Sequence, residues 1–111
     1  MPRIATSVLV TALLRLAERE GGFGTVIFKG DENAGALLIL LAERGRRVTV
    51  LERLLQPDGS YAWASPLKPD QEEAELDGFV ARRRRFDPDS WVLELDTASA
   101  ERFADEIKRL D

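Results

Sequence analysis

From Ala36 to Ala42 the chain runs Ala-Leu-Leu-Ile-Leu-Leu-Ala without a polar side chain. The run is far short of the roughly 20 apolar residues that a membrane-spanning helix needs. It also lacks the period-two alternation of a strand with one wet face. Bounded by Gly35 and Glu43, it reads as a strand whose two faces are both covered, so the rest of the chain must supply cover on both sides.

The flanking segments suggest how. Thr6 to Glu20 is predicted as a helix capped by Thr6 or Ser7 and stopped by Gly21 and Gly22. Its apolar residues Leu9, Val10, Ala12, Leu13, Leu14, Leu16 and Ala17 spread over roughly 200° of the wheel, wider than the stripe a surface helix needs. Runs with strand character follow at Thr25 to Lys29, Ala36 to Ala42, Arg47 to Leu55 and Tyr61 to Ser65. Their short, glycine-containing connections favour antiparallel hairpins and predict a meander. A second helix is expected from about Pro69 to Arg85, opening on acids and closing on arginines in the sense that suits the helix dipole. Trp91 to Asp96 alternates as a fifth strand. Ala100, Phe103, Ala104, Ile107 and Leu110 then recur at helical spacing. The expectation is one α+β domain over residues 1–111, a mainly antiparallel sheet of about five strands with three helices in the order α-β-β-β-β-α-β-α.

Composition removes several chemistries. A chain of 111 residues without cysteine or histidine offers no disulfide, thiolate nucleophile, imidazole base or usual zinc ligand set. No cofactor is expected, since neither a dinucleotide fingerprint nor a P-loop is present. With no membrane-spanning run and no signal-peptide pattern, a cytoplasmic protein is expected. The formal net charge of −4 and pI near 4.9 argue against general nucleic-acid binding, whose affinity comes largely from a basic surface.

Against that acidic background stands the block Arg82-Arg83-Arg84-Arg85-Phe86-Asp87-Pro88-Asp89-Ser90-Trp91. Three or four residues beyond each of Asp70, Glu72, Glu73, Glu75 and Asp77 there is no arginine, so the helix cannot pair its own charges. Leu76, Phe79, Val80 and Phe86 fall on one stripe, with Arg83 inside it, while Arg82, Arg84 and Arg85 point elsewhere. Two readings stand for these arginines. They can cover apolar surface and pair within the chain, with Asp87 and Asp89 as the nearest carboxylates. Alternatively they receive an anion or an acidic partner segment, with Phe86 and Trp91 as apolar anchors.

Two loops also gather carboxylates. Gly30-Asp31-Glu32-Asn33-Ala34-Gly35 carries oxygen ligands for a divalent cation, but the same residue types make a turn and the regular spacing of a calcium loop is absent. Asp87-Pro88-Asp89 reads mainly as a helix stop.

Taken with Ala81-Arg82, Arg84 to Asp89, Trp91-Val92 and Glu94, the Gly30-Asp31-Glu32 and Ala34-Gly35-Ala36 segments make the chain resemble a family of short, mainly alphaproteobacterial proteins classed as a domain of unknown function. That family often has an uncharged polar residue where Arg83 stands, which shifts weight to Arg82, Arg84 and Arg85. The resemblance implies a cytoplasmic bacterial protein and brings no activity, cofactor or catalytic residue. The expected role is a non-catalytic interaction module with a partner- or anion-binding surface at Arg82, Arg84, Arg85, Phe86, Asp87, Asp89 and Trp91. A homodimer is expected from the wide first helix and the two-sided strand. The alternatives are a magnesium-dependent phosphoryl-transfer or hydrolytic enzyme using Asp31, Glu32, Asp87 and Asp89, and a specific nucleotide or nucleic-acid binder.

Overall fold

The computed structural model describes residues 5–68 and 71–110. The order is α1 (Thr6–Arg19), β1 (Phe23–Phe28), β2 (Leu37–Glu43), β3 (Arg46–Leu55), β4 (Tyr61–Ala64), α2 (Glu73–Phe86), β5 (Trp91–Asp96) and α3 (Ala100–Lys108). This is the expected α+β fold with three helices and one five-stranded sheet. α2 begins at Glu73 rather than near Pro69, and Pro69 and Asp70 lie outside the described residues.

The sheet is not a meander. Its order is β1-β5-β2-β3-β4: β5 lies between the first two strands, antiparallel to β1 and parallel to β2. Burial explains the insertion. Trp91, Leu93 and Leu95 need cover on one face of β5 and Val92 on the other, and only an interior strand has both. The segment from Gly30 to Gly35 therefore does not turn a hairpin; it steps across the start of β5.

β2 shows why its unbroken apolar run constrains the fold. Leu37, Ile39 and Leu41 point to a cluster with Leu9, Val10 and Leu13 of α1 and Phe103, Ala104 and Ile107 of α3. Leu38 and Leu40 point the other way, to Leu76 and Val80 of α2 with Val50 and Val92. Helices thus cover both faces, two on one side and one on the other. All the residues from Leu37 to Ala42 are buried, each large one contributing about 1.5–3 kcal/mol of transfer free energy. Because this cover comes from the chain's own helices, β2 does not require a second molecule. The wide arc of α1 is likewise mostly absorbed, with Leu14 and Leu16 packed against the larger cluster.

The cap of α1 differs from expectation. Ala5 precedes the helix and no side chain caps it. The loop after β1 does so with its backbone: Ser7 N donates to Glu32 O at 3.0 Å and Thr6 N to Asn33 O at 3.4 Å. These carbonyls satisfy donors that the first turn leaves free. β2 and β3 are joined by Arg44-Gly45, both at positive φ (52° and 83°), as a tight primed hairpin turn requires. The buried Asp96 carboxylate accepts from Arg44 N at 2.9 Å and Gly45 N at 2.6 Å, tying this turn to the end of β5. Glu43 Oε1 accepts from Ala100 N at 2.8 Å, and Ser99 Oγ accepts from Arg102 N at 3.3 Å, so α3 starts on side-chain caps.

Candidate functional site

The charges of α2 find their partners on the sheet. At its acidic end, Arg47 of β3 meets Asp77 at 2.8 Å, Glu94 of β5 at 3.2 Å and Glu73 at 3.6 Å. The hydrogen bond that Arg47 donates to Asp77 raises the Arg47 pKa above its ordinary value, with desolvation opposing and Glu94 adding in the same sense as Asp77. At the basic end the four arginines diverge. Arg83 closes a two-bond pair on Glu52, Nε to Oε2 at 2.7 Å and Nη2 to Oε1 at 3.3 Å, with its guanidinium 5.0 Å from the Phe79 ring centre. The Glu52 side chain is only 3 % exposed. Its bidentate partner is what makes a carboxylate tolerable at that depth.

Arg84 is held differently. Its guanidinium lies 4.3 Å from the Phe28 ring centre, and Nη2 donates to Lys29 O at 3.4 Å, a cation–π contact and a hydrogen bond that fasten α2 to the end of β1. Arg82, Arg85 and Phe86 remain on the surface around one shallow depression. Phe86 is 91 % exposed, although by helical phase it shares the apolar stripe of Leu76, Phe79 and Val80. It sits about 80° off Leu76 on the helical wheel and at the last helical residue, so the margin of the stripe turns outward there. Beside it a small cleft has Leu38 and Leu54 as its apolar lining, the Arg83–Glu52 pair in its wall, and Phe86 and Asp87 at its rim.

Trp91 does not belong to this surface. It is 4 % exposed within the core, and its indole Nε1 donates to Asp31 O at 2.7 Å. Its alternation with Leu93 and Leu95 was the signal for a core position, and burial removes it as a partner anchor. Asp87 and Asp89 are exposed and shape the helix stop: Asp87 Oδ1 accepts from Asp89 N at 3.1 Å, and Ser90 N donates to Asp87 O at 3.0 Å.

The two carboxylate loops do meet, through their backbones. Asp31 N donates to Asp89 O at 3.0 Å and Trp91 N to Ala36 O at 2.9 Å. A Cβ at Gly30 would collide with Asp89 O and come within 2.7 Å of Trp91 Cδ1; this close approach requires glycine. The carboxylates themselves are engaged locally. Asp31 Oδ2 accepts from Ala34 N at 2.8 Å and Asn33 N at 3.2 Å, and Glu32 pairs with Lys29 at 3.3 Å. Among the described residues no group of three or more acidic side chains is placed to hold a metal ion.

Sequence reasoning missed Glu52 and Arg47. The signal for Glu52 was present: it falls two residues from Val50 and two from Leu54, on the face that meets α2, while Arg83 interrupts the apolar stripe of that helix. Two opposite charges, each alone on an apolar stripe, are mutual partners.

A family model described as a protein of unknown function (DUF1491) matches residues 4–105. The chain belongs to the DUF1491 family. A crystal structure of a DUF1491 protein from Caulobacter crescentus CB15 is 34% identical, with a TM-score of 0.78 over 91% of this chain and 94% of that one. An NMR structure of a DUF1491 protein from the same organism is also 34% identical, with a TM-score of 0.80 over 93% and 94%. The solution structure of protein Atu0922 from A. tumefaciens is 29% identical, with a TM-score of 0.74 over 88% and 89%. No curated protein matches the chain. In this DUF1491 chain, the Gly30–Ala36 and Arg84–Trp91 blocks lie against each other, and they also position α1 and the end of α2.

Proposed function

We propose that this DUF1491 chain is a cytoplasmic, non-catalytic interaction module of alphaproteobacterial origin that binds a protein partner at the end of α2. The observation that carries the reading is Phe86, 91 % exposed yet held on a helix end that Arg83 and Arg84 fasten to the sheet. A large aromatic displayed on a rigid element is a typical interface anchor. Arg82 and Arg85 flank it with planar donors suited to carboxylates, and the cleft at its rim offers an apolar niche. The matching partner surface carries an apolar side chain for the niche and acidic groups around it. Asp87 and Asp89 at the edge of the patch disfavour a polyanion such as nucleic acid, because they repel the same phosphates that the arginines attract.

The test compares wild type with a variant combining Arg82→Gln, Arg85→Gln and Phe86→Ser, each used as bait in bacterial extract at low and moderate salt. All three side chains are exposed, so the variant is expected to keep the wild-type circular dichroism and melting temperature while losing the partner that wild type recovers. A partner retained in full by the folded variant overturns the reading. Recovery that collapses between 50 and 200 mM salt, on the order expected for six or more phosphate contacts, points to nucleic acid and overturns it as well.

A further inference from the structure

We infer that β1 is the seam of a homodimer, in which two copies pair their β1 strands antiparallel about a two-fold axis and join two five-stranded sheets into one of ten. The argument starts from the two sheet edges. β4 is four residues long and is flanked by Pro57 and Pro66, a short edge of the kind that discourages pairing. β1 has six residues, Phe-Gly-Thr-Val-Ile-Phe, with no proline and no charge. Phe23, Val26, Ile27 and Phe28 are 57, 38, 41 and 47 % exposed. Among the described residues, one edge is guarded and the other is left open, uncharged and apolar.

An uncharged edge restricts its occupant, since a partner strand must also be charge-free or leave a charge against apolar surface. A second copy of β1 meets that condition over its whole length. The register is self-complementary. The bulge between Val26 and Phe28 makes the strand irregular only near its end, so a two-fold at Thr25 leaves the middle of each strand regular. Thr25 then faces Thr25 of the second copy, Gly24 faces Val26, and Phe23 faces Ile27, the residue that the bulge leaves without a partner on β5, with Phe28 next to it. The small residue meets the branched one, and the aromatics of the two copies stack in pairs at either end of the seam. The Arg84–Phe28 contact fixes one ring of each pair in advance. Six residues of pairing fall short of the roughly 800 Å² per partner of a standard interface, so the dimer dissociates on dilution through the micromolar range. This seam lies on β1, apart from the Arg82, Arg85 and Phe86 patch, and its failure leaves the α2 reading untouched.

The test uses sedimentation velocity across a concentration series with wild type, Thr25→Lys and Thr25→Cys. Thr25 is exposed and lies opposite Glu94 in register, so a lysine there is compatible with the folded monomer but sets two ammonium groups against each other on the axis. Wild type is expected to shift from monomer to dimer with rising concentration, and Thr25→Lys to remain monomeric with an unchanged melting temperature at low concentration. Because the chain has no cysteine, Thr25→Cys is expected to give a single disulfide-linked dimer under mild oxidation, whereas Ala62→Cys on the β4 edge is not. Wild type that stays monomeric at the highest concentration overturns the proposal. A dimer that survives Thr25→Lys, or cross-linking as efficient at Ala62→Cys as at Thr25→Cys, overturns it too.

Discussion

Arg82 and Arg83 are adjacent in the chain, yet only Arg83 reaches a carboxylate that water cannot reach. Substituting Arg83 leaves Glu52 without its partner in a site where it is almost fully enclosed. Breaking a buried pair by removing one partner costs about 3–5 kcal/mol, and the half-exposed guanidinium places Arg83→Gln near the lower end. Arg82→Gln and Arg85→Gln remove exposed charges and are expected to stay within about 0.5 kcal/mol of wild type. Urea denaturation of the three single variants checks the ordering. The double variant Arg83→Met with Glu52→Leu is expected to recover most of the loss, because replacing both members of a buried pair by apolar groups is often neutral. Equal effects of Arg82→Gln and Arg83→Gln would contradict the pairing.

At the scale of elements, the connections decide how strands and helices meet, and their glycines serve different ends. Gly45 sits at φ +83° in the β2–β3 turn with nothing within 4 Å of an added Cβ. Gly45→Ala therefore meets only backbone strain, about 1–2 kcal/mol. At Gly30 the obstacle is the backbone of Asp89 and Ser90 with the Trp91 ring. There is no flexible side-chain end to move aside, and Gly30→Ala must push apart the two loops that cap α1 and start β5. Overpacking of this kind costs about 1–3 kcal/mol or more. The distinguishing measurement is amide exchange. Gly45→Ala is expected to speed exchange only around the β2–β3 turn, and Gly30→Ala to expose the Ser7 amide and the Trp91 indole N–H together.

For the whole molecule, β2 contributes more residues to the two apolar clusters than β3 or β5, the other strands that enter both, giving Leu37, Ile39 and Leu41 to one and Leu38 and Leu40 to the other. Neither cluster persists once this strand leaves the sheet, so the two faces are expected to unfold in one transition. Ile39→Ala and Leu38→Ala each remove a fully buried side chain and are expected to cost about 2–5 kcal/mol. Tryptophan fluorescence reports mainly on the α1 and α3 face, where Trp91 and Trp63 pack, whereas far-ultraviolet circular dichroism reports on all three helices. For both variants the two signals are expected to fall on one curve shifted to lower temperature. A fluorescence transition left in place by Leu38→Ala while the dichroism splits would show that the faces are independent.

The sequence by itself determined the kind, order and approximate bounds of the elements, because periodicity at 3.6 or 2 residues and the positions of glycine and proline are local properties. It also determined that Ala36 to Ala42 is covered on both sides, since a run without alternation has no face to give to water. Only the tertiary structure decided that β5 enters between β1 and β2. The choice between a meander and an inserted strand depends on which strand most needs two covered faces, a comparison across segments more than 50 residues apart. The same holds for the arginine block. Charge and spacing located it, but helical phase alone could not show that Arg83 finds Glu52, that Arg84 lies over Phe28, and that Phe86 is left in solvent, because those outcomes depend on how far α2 extends past the sheet beneath it. Trp91 shows the reverse case: its alternation with Leu93 and Leu95 carried a core signal, yet the sequence reading set it on the partner surface beside Phe86, and only packing showed that its indole N–H finds the Asp31 carbonyl that makes burial affordable.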